Sequence, residues 1–273
     1  MEDSVSEPAI VSFRNVHKAF ELNGARIEAI RGFDLDIKES EFVAIVGGSG
    51  CGKSTLLRLL VGLDRDHQGE ILIDGRPLSG IGSDRGIVFQ EHRLFPWLTV
   101  AQNIALGLVN DGLSRADLDA SVAAHVALVG LGGFEQALPH QLSGGMAQRV
   151  AIARGLVASP RILMLDEPFA ALDALTRHQM EDELHRIGSA RRVTTILVTH
   201  DVEEALYLAD RVVVMTPRPG TIRAVVDASL ARPRDRTSLR FLELRKTVLQ
   251  LLTADDDTSD ETLRDLTALA VAV

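Results

Sequence analysis

Eight consecutive residues, Gly47-Gly-Ser-Gly-Cys-Gly-Lys-Ser54, constrain this chain more than any other feature. They fit the pattern G-x-x-x-x-G-K-[ST] at every fixed position. The apolar run Glu41–Val46 precedes them and reads as a buried parallel strand. Ser54 to Leu63 follows and reads as a helix, with Leu56, Leu57, Leu59, Leu60 and Leu63 on its buried side. A glycine-rich turn in that setting lets the backbone wrap close to phosphate oxygens. Successive N–H groups point inward, and the helix start adds positive potential. Lys53 is then placed to reach the terminal phosphates and Ser54 to hold Mg2+. A dinucleotide fingerprint is excluded, because its third glycine would fall where Lys53 stands.

The surrounding pattern is α/β. Strands are expected over Ala9–Val16, Phe33–Ile37, Glu70–Asp74, Gly86–Phe89, Arg161–Leu165, Val193–Thr199 and Arg211–Met215. A helix is expected over Val202–Ala209 and an amphipathic one over Leu239–Leu252. Strands alternating with helices suggest a parallel sheet. From Glu91 to Ser159 the chain is instead rich in Ala and Leu at helical spacing, notably at Thr99–Leu108, Arg115–Val129 and Gly145–Ala158. This reads as an inserted helical lobe. Pro217–Gly220 reads as a turn, and Asp255–Asp257 as a solvated loop.

Four further places carry chemistry. Asp166-Glu167 ends an apolar strand. An aspartate there can hold Mg2+ through water, and the glutamate can orient and activate an attacking water. Without the phosphate loop upstream, two acids at a strand end would be ordinary surface. Gln90 and His200 also follow strands and can reach the same carboxyl edge. Most histidines are structural, and His17, His67, His125, His140, His178 and His185 are set aside on that ground. His200 differs because it ends an apolar strand just before an acid-started helix. Leu142-Ser-Gly-Gly-Met146 precedes a long helix. Ser143 either caps that helix or leaves the cap to bind an anion, and Gly144 and Gly145 expose backbone N–H groups. This is a second phosphate-binding helix start in a chain with one phosphate loop. A two-fold dimer in which each loop faces the other chain's Ser143–Gly145 accounts for both.

Composition limits the partners. The chain has 273 residues, with 29 basic and 38 acidic side chains and a net charge of −9. Binding nucleic acid chiefly through phosphates is a poor fit to that charge. The single cysteine, Cys51, excludes an internal disulfide framework and points to a reducing compartment. Within the phosphate loop it reads as a small packing residue, although a helix start there could lower its pKa. No apolar run approaches the ~18 residues that span a bilayer. The acidic start Met1–Pro8 lacks the apolar core of a signal peptide. A soluble cytoplasmic chain is expected, reaching a membrane only through a partner.

Together these residues resemble the ATP-binding subunit of ABC transporters, over roughly residues 9–230. Gly47–Thr55 matches the Walker A loop, Gln90 the Q-loop, Leu142–Met146 the signature, Ile162–Glu167 the Walker B strand, Asp173 the D-loop and His200 the switch histidine. Phe20 stands about where the family stacks an aromatic on adenine; the alternative is an ordinary buried phenylalanine. The resemblance implies a RecA-like P-loop NTPase core (9–90 and 160–230) with an antiparallel β subdomain. It also implies a helical subdomain (91–159) and a C-terminal helical extension and tail (231–273). It implies ATP and Mg2+, with Ser54, Gln90 and Asp166 toward the metal. The implied ATP-bound homodimer has Gly47, Gly48, Ser49, Gly50, Cys51, Gly52, Lys53, Ser54, Thr55, Ser143, Gly144, Gly145 and Asp173 around the nucleotide, and Glu167, His200 and Gln90 in catalysis. It also implies membrane permease subunits, an indirect link to a periplasmic solute-binding protein, and a place on the cytoplasmic face of a bacterial inner membrane.

A narrower likeness points to nitrate, sulfonate and taurine importers. It lies in Asp84–Thr99, Leu142–Leu156, Ala171–Arg177 and Val198 through Gly220, and Arg232–Arg245 leans toward aliphatic-sulfonate members. Gly48, Met146 and Ala171 depart from the commoner proline, glutamine and serine, and none removes a group that touches phosphate. Phe95 and Trp97, just after Gln90, either pack inside the helical lobe or line a groove for a short permease helix. Two other readings compete. A soluble ATPase of the same superfamily would carry two cassettes or a coiled-coil insertion, and this chain shows neither. A GTPase or small-molecule kinase would leave Ser143–Gly145 unexplained, and no Asn-Lys-x-Asp motif is present.

Overall fold

The computed structural model describes residues 8–22, 24–170 and 172–254, without the side chains of 189–191. The expectations for the N-terminal segment, for Ala171, for Asp255–Asp257 and for the tail beyond lie outside these residues. The chain divides into two compact units. One is built from the residues up to Ile81 and from Ile196 onward, the other from Gly82–Thr195.

The first unit opens with a long antiparallel pair, β1 (Ala9–Leu22) and β2 (Ala25–Lys38). β1 also pairs antiparallel with β4 (Gln68–Ile73), which continues to the short β5 (Arg76–Pro77), giving the order β2-β1-β4-β5. β1 and β2 run further than their apolar alternation suggests. Register shifts between Phe13 and Val16 and between Val16 and Lys18 re-aim the side chains mid-strand, so a strict period of two breaks while pairing continues. Phe13 and Phe33 meet edge-on at 5.3 Å in the core of this sheet.

β3 (Phe42–Val46) is buried along its whole length and pairs parallel with β9 (Arg211–Met215). β9 pairs antiparallel with β10 (Ile222–Asp227), and β3 is flanked on its other side by β8 (Thr194–Thr199). The apolar runs of β3 and β9, and the burial of every residue of β8, fit strands covered on both faces. β10 was not expected; its six residues 222–227 follow a Pro- and Gly-rich turn that masks a strand in the sequence. α1 (Lys53–Leu60) buries Leu56, Leu57, Leu59 and Leu60 as expected, but Leu63 is 55% exposed. The helix ends at Leu60 and the chain turns through Gly62, so Leu63 lies off the helical face. α6 (Val202–Leu208) and α7 (Leu239–Thr253) complete the unit.

In the second unit β6 (Arg85–Val88) and β7 (Ile162–Asp166) pair parallel, with Val88 opposite Leu165. β6 was expected to be a buried strand reaching Phe89. It stops at Val88, and Val88 is its one buried residue. Between Glu91 and Ser159 there are helices and no strand. They are α2 (Val100–Ala105), which runs on into a 3-10 turn at Leu106–Leu108, then α3 (Arg115–Leu128), a second 3-10 turn at Pro139–Gln141, and α4 (Gly144–Leu156). α5 (Ala174–Arg191) was not foreseen, because its sequence is largely polar and carries a weak apolar stripe. Among the described residues six α-helices start at a Ser, Thr or Asp whose side chain accepts a first-turn N–H: Thr99, Ser114, Ser143, Asp173, Asp201 and Ser238. α1 is the exception. Its N-cap is Gly52, and no side chain caps it. No helix among the described residues is long and apolar enough to cross a membrane.

Candidate functional site

In the first unit the glycine-rich loop leaves the carboxyl end of β3 and enters α1. A helix start without a side-chain acceptor suits an anion. Lys53 is 5% exposed, and its ammonium donates to the carbonyls of Gly47 at 2.8 Å and Gly48 at 3.1 Å. The cation is thereby curled back over the loop. Cys51 points inward and is buried, and burial pushes its thiol pKa up. A lowered pKa, considered from its place near the helix start, is therefore overturned: desolvation outweighs the neighbouring Lys53 charge.

The turn after β9 buttresses this loop. Gly220 N–H donates to the Ala29 carbonyl at 2.9 Å, and the Gly220 carbonyl accepts from Arg31 at 3.0 Å. A Cβ on Gly220 would run into the Cys51 carbonyl, so only glycine fits this close approach. Arg218 donates from both Nε and a terminal nitrogen to the Gly50 carbonyl, each at 3.3 Å. Sequence reasoning took Pro217–Gly220 as a turn and missed this role. The pairing is distant in sequence, and only the turn composition was visible.

Phe20 is half-exposed, which removes the ordinary buried-phenylalanine reading. Lys18 Nζ lies 4.9 Å from its ring centroid and is itself held by Asp64 at 2.9 Å. A cavity of about 510 Å3 opens beside it, lined by His17, Lys18, Phe20, Arg26, Glu28 and Asp66 among others. No residue of the 47–55 loop lines it. His200 follows β8 directly and is exposed, with Asp201 capping α6 behind it.

In the second unit Gln90 follows β6, Asp166 ends its parallel partner β7 and Glu167 follows it, so they share one carboxyl edge. Glu167 has φ = +45°, in the left-handed region that a glutamate rarely adopts. Such strain persists where the surroundings enforce it, and it gathers at functional positions. Ser143 does cap α4, with its hydroxyl accepting from the Met146 N–H at 3.2 Å. Gly144 and Gly145 form the first turn of α4. A Cβ on Gly145 would lie 2.7 Å from Thr176 Cγ2, so the glycine lets α4 approach α5. Asp173 caps α5, and hydrogen bonds from Thr176 hold its carboxyl below the usual aspartate range.

α4 also ties itself to the segment after Gln90. Arg154 donates to the backbone carbonyls of His92 at 2.9 Å and Arg93 at 3.0 Å. Burial lowers its pKa, although a guanidinium stays charged. Beyond it, Trp97 is 70% exposed and Phe95 is 43% exposed, their rings edge-on at 5.5 Å. Buried Asn103 fixes this aromatic pair by accepting from the Phe95 N–H at 2.9 Å and donating to the Leu98 carbonyl at 2.9 Å. The alternative of packing inside the helical lobe is thus overturned for Trp97.

In the first unit Ser54 offers a hydroxyl; in the second unit Gln90 offers an amide oxygen and Asp166 a carboxylate. These are the hard oxygen donors that suit Mg2+, which usually takes few protein ligands beside phosphates and water. Among the described residues no group of three or more His, Cys, Asp or Glu forms a metal cage.

The family model for ABC transporters matches residues 30–170. An aliphatic sulfonates import ATP-binding protein, SsuB, of Bacillus thuringiensis subsp. konkukian is 45% identical over 240 residues, covering 88% of this chain and 94% of that protein. A bicarbonate transport ATP-binding protein, CmpC, of Synechococcus elongatus is 43% identical over 268 residues, covering 95% of this chain but 40% of that protein. Among solved structures, a dimeric ATP-binding cassette in a post-hydrolysis state bound to ADP and Pi superposes with a TM-score of 0.71 at 32% identity. That match covers 80% of this chain and 98% of the other. The fold is accordingly that of the ABC ATPase cassette, and the chain belongs to the ABC transporter family as an ATP-binding, ATP-hydrolysing subunit.

Proposed function

We propose that this chain energises uptake of aliphatic sulfonates through a separate membrane permease, by closing as an ATP-bound homodimer and opening after hydrolysis. The likeness to the sulfonate import subunit, over nearly that protein's whole length, carries the substrate reading. The domain division follows the sequence: a core of 9–90 and 160–230, a helical subdomain of 91–159 and a C-terminal extension of 231–273.

Within this reading Gly47–Thr55 wraps the phosphates, with Lys53 toward the terminal ones and Phe20 stacking on adenine. Ser54, Gln90 and Asp166 hold Mg2+, which when bound neutralises phosphate charge. Glu167 orients the attacking water and takes its proton, and His200 contacts the γ-phosphate. Ser143, Gly144 and Gly145 close over the nucleotide of the partner copy, with Asp173 lining the dimer seam. The exposed Phe95–Trp97 pair, fixed by Asn103 and adjoining the Arg154-held segment, is the docking platform for a cytoplasmic helix of the permease. This chain sits peripherally on the cytoplasmic face of a bacterial inner membrane, and a periplasmic solute-binding protein acts on it only indirectly, through that permease.

The bicarbonate transport relative favours a second reading, uptake of a small inorganic anion such as nitrate or bicarbonate, with taurine a further sulfonate case. Growth of a deletion strain on single sulfur and nitrogen sources separates these. Failure on alkanesulfonates with normal growth on sulfate and nitrate supports the proposal. Failure on nitrate, on taurine alone, or only under limiting inorganic carbon overturns the substrate and leaves the ATPase role standing. Normal growth on every source favours an ATPase not tied to transport.

A further inference from the structure

His200 is exposed, yet the backbone on both sides of it is tied into a closed ring. Thr199, the last residue of β8, is 2% exposed, and its hydroxyl donates to the Glu204 carboxylate at 2.5 Å. The same hydroxyl oxygen accepts from the Asp201 N–H at 3.0 Å. Asp201 Oδ1 in turn accepts from the N–H of Glu203 at 2.9 Å and of Glu204 at 3.2 Å. The ring therefore runs Thr199 to Glu204 to Asp201 and back to Thr199, and His200 is the residue it spans. Glu204 is 4% exposed on α6. Burying a carboxylate is unfavourable unless strong hydrogen bonds compensate. An ordinary N-cap needs only Asp201, so the Thr199–Glu204 pair is additional to helix capping.

We propose that Thr199 and Glu204 are positioning residues for His200, locking the β8–α6 turn so that the imidazole is presented in one orientation. The inference rests on His200 acting at the γ-phosphate. A preoriented group avoids the reorganisation a free loop would undergo at the moment of reaction. The ring acts on the turn that carries His200, so its loss is expected in turnover and not in ATP binding.

A double-mutant cycle on the full chain tests this, reading kcat and KM for ATP. Thr199→Val, which keeps the shape and removes the hydroxyl, is expected to lower kcat about tenfold with KM nearly unchanged. Thr199→Ser, which keeps the hydroxyl, is expected to recover most of that loss. In a His200→Ala background Thr199→Val is expected to change nothing further. If Thr199→Val does not fold, Glu204→Gln carries the same cycle, with a severalfold loss when His200 is present and none without it. An equal loss in both backgrounds makes the ring merely structural and overturns the proposal while the His200 reading stands. If His200→Ala alone leaves hydrolysis intact, the His200 reading fails, and the proposal falls with it.

Discussion

The Lys53 ammonium lies 2.8 Å from the Gly47 carbonyl oxygen, six residues back along the same loop. With the Gly48 carbonyl as its second acceptor, the lysine pins the loop's curvature as well as supplying charge. A hydrogen bond to a charged group is worth ~1.5–3 kcal/mol. Lys53→Ala is therefore expected to weaken ATP binding roughly 10- to 100-fold. Calorimetric titration of the variant with ATP checks this, and unchanged affinity would remove Lys53 from the phosphate site.

Glu167 stands at φ = +45° immediately after Asp166. Glu167→Gln keeps the size of the side chain and removes the base. ATP binding is expected to persist while hydrolysis falls roughly 10²–10⁴-fold. Sized by light scattering, that variant is expected to be monomeric alone and dimeric with ATP. Adding Ser143→Arg is expected to abolish the dimer and leave monomer binding largely intact. A dimer that survives Ser143→Arg would dissociate the α4 start from the composite site.

Cys51 is buried, and its thiol pKa is raised by that burial. A raised pKa leaves less thiolate at any given pH, and the thiolate is the nucleophile. Iodoacetamide at neutral pH is therefore expected to label the folded chain far more slowly than the urea-unfolded chain. Its labelling rate should also rise at higher pH than in the unfolded chain. Equal rates, followed by mass spectrometry, would place the thiol at the surface.

Gly145 faces Thr176 Cγ2 with room for a hydrogen and none for a methyl. Rotating Thr176 away would break its hydrogen bond to Asp173. Gly145→Ala is expected to cost roughly 1–3 kcal/mol, seen as a fall of several degrees in Tm by calorimetry. Thr176→Ser removes Cγ2 and keeps the hydroxyl, so the double variant is expected to regain most of the loss. A double variant no more stable than Gly145→Ala would place the strain elsewhere.

Much of the fold was legible because the signals are local. The apolar runs of β3, β8 and β9 announce buried strands, and Ser143 announces the start of α4. The misses have local causes too. Leu63 fits the leucine spacing of α1 but lies past its end, and α5 is too polar to show a face. β1 changes register partway, so the alternation that marks a strand fades while pairing continues.

The sequence by itself determined the chemistry that the chain can carry. Gly47–Ser54, Gln90, Asp166-Glu167, Ser143–Gly145 and His200 are short motifs whose residue types and spacing follow from phosphate and water chemistry. Only the tertiary structure decided what holds them. Arg218 and Gly220 press on the loop from 168 or more residues away. Arg154 grips the segment after Gln90, and Thr199 and Glu204 enclose His200. It also decided that Cys51 turns inward while Trp97 turns out. Such contacts join residues with no fixed spacing. They rest on burial and close approach, which a linear pattern does not encode until the strands and helices have packed.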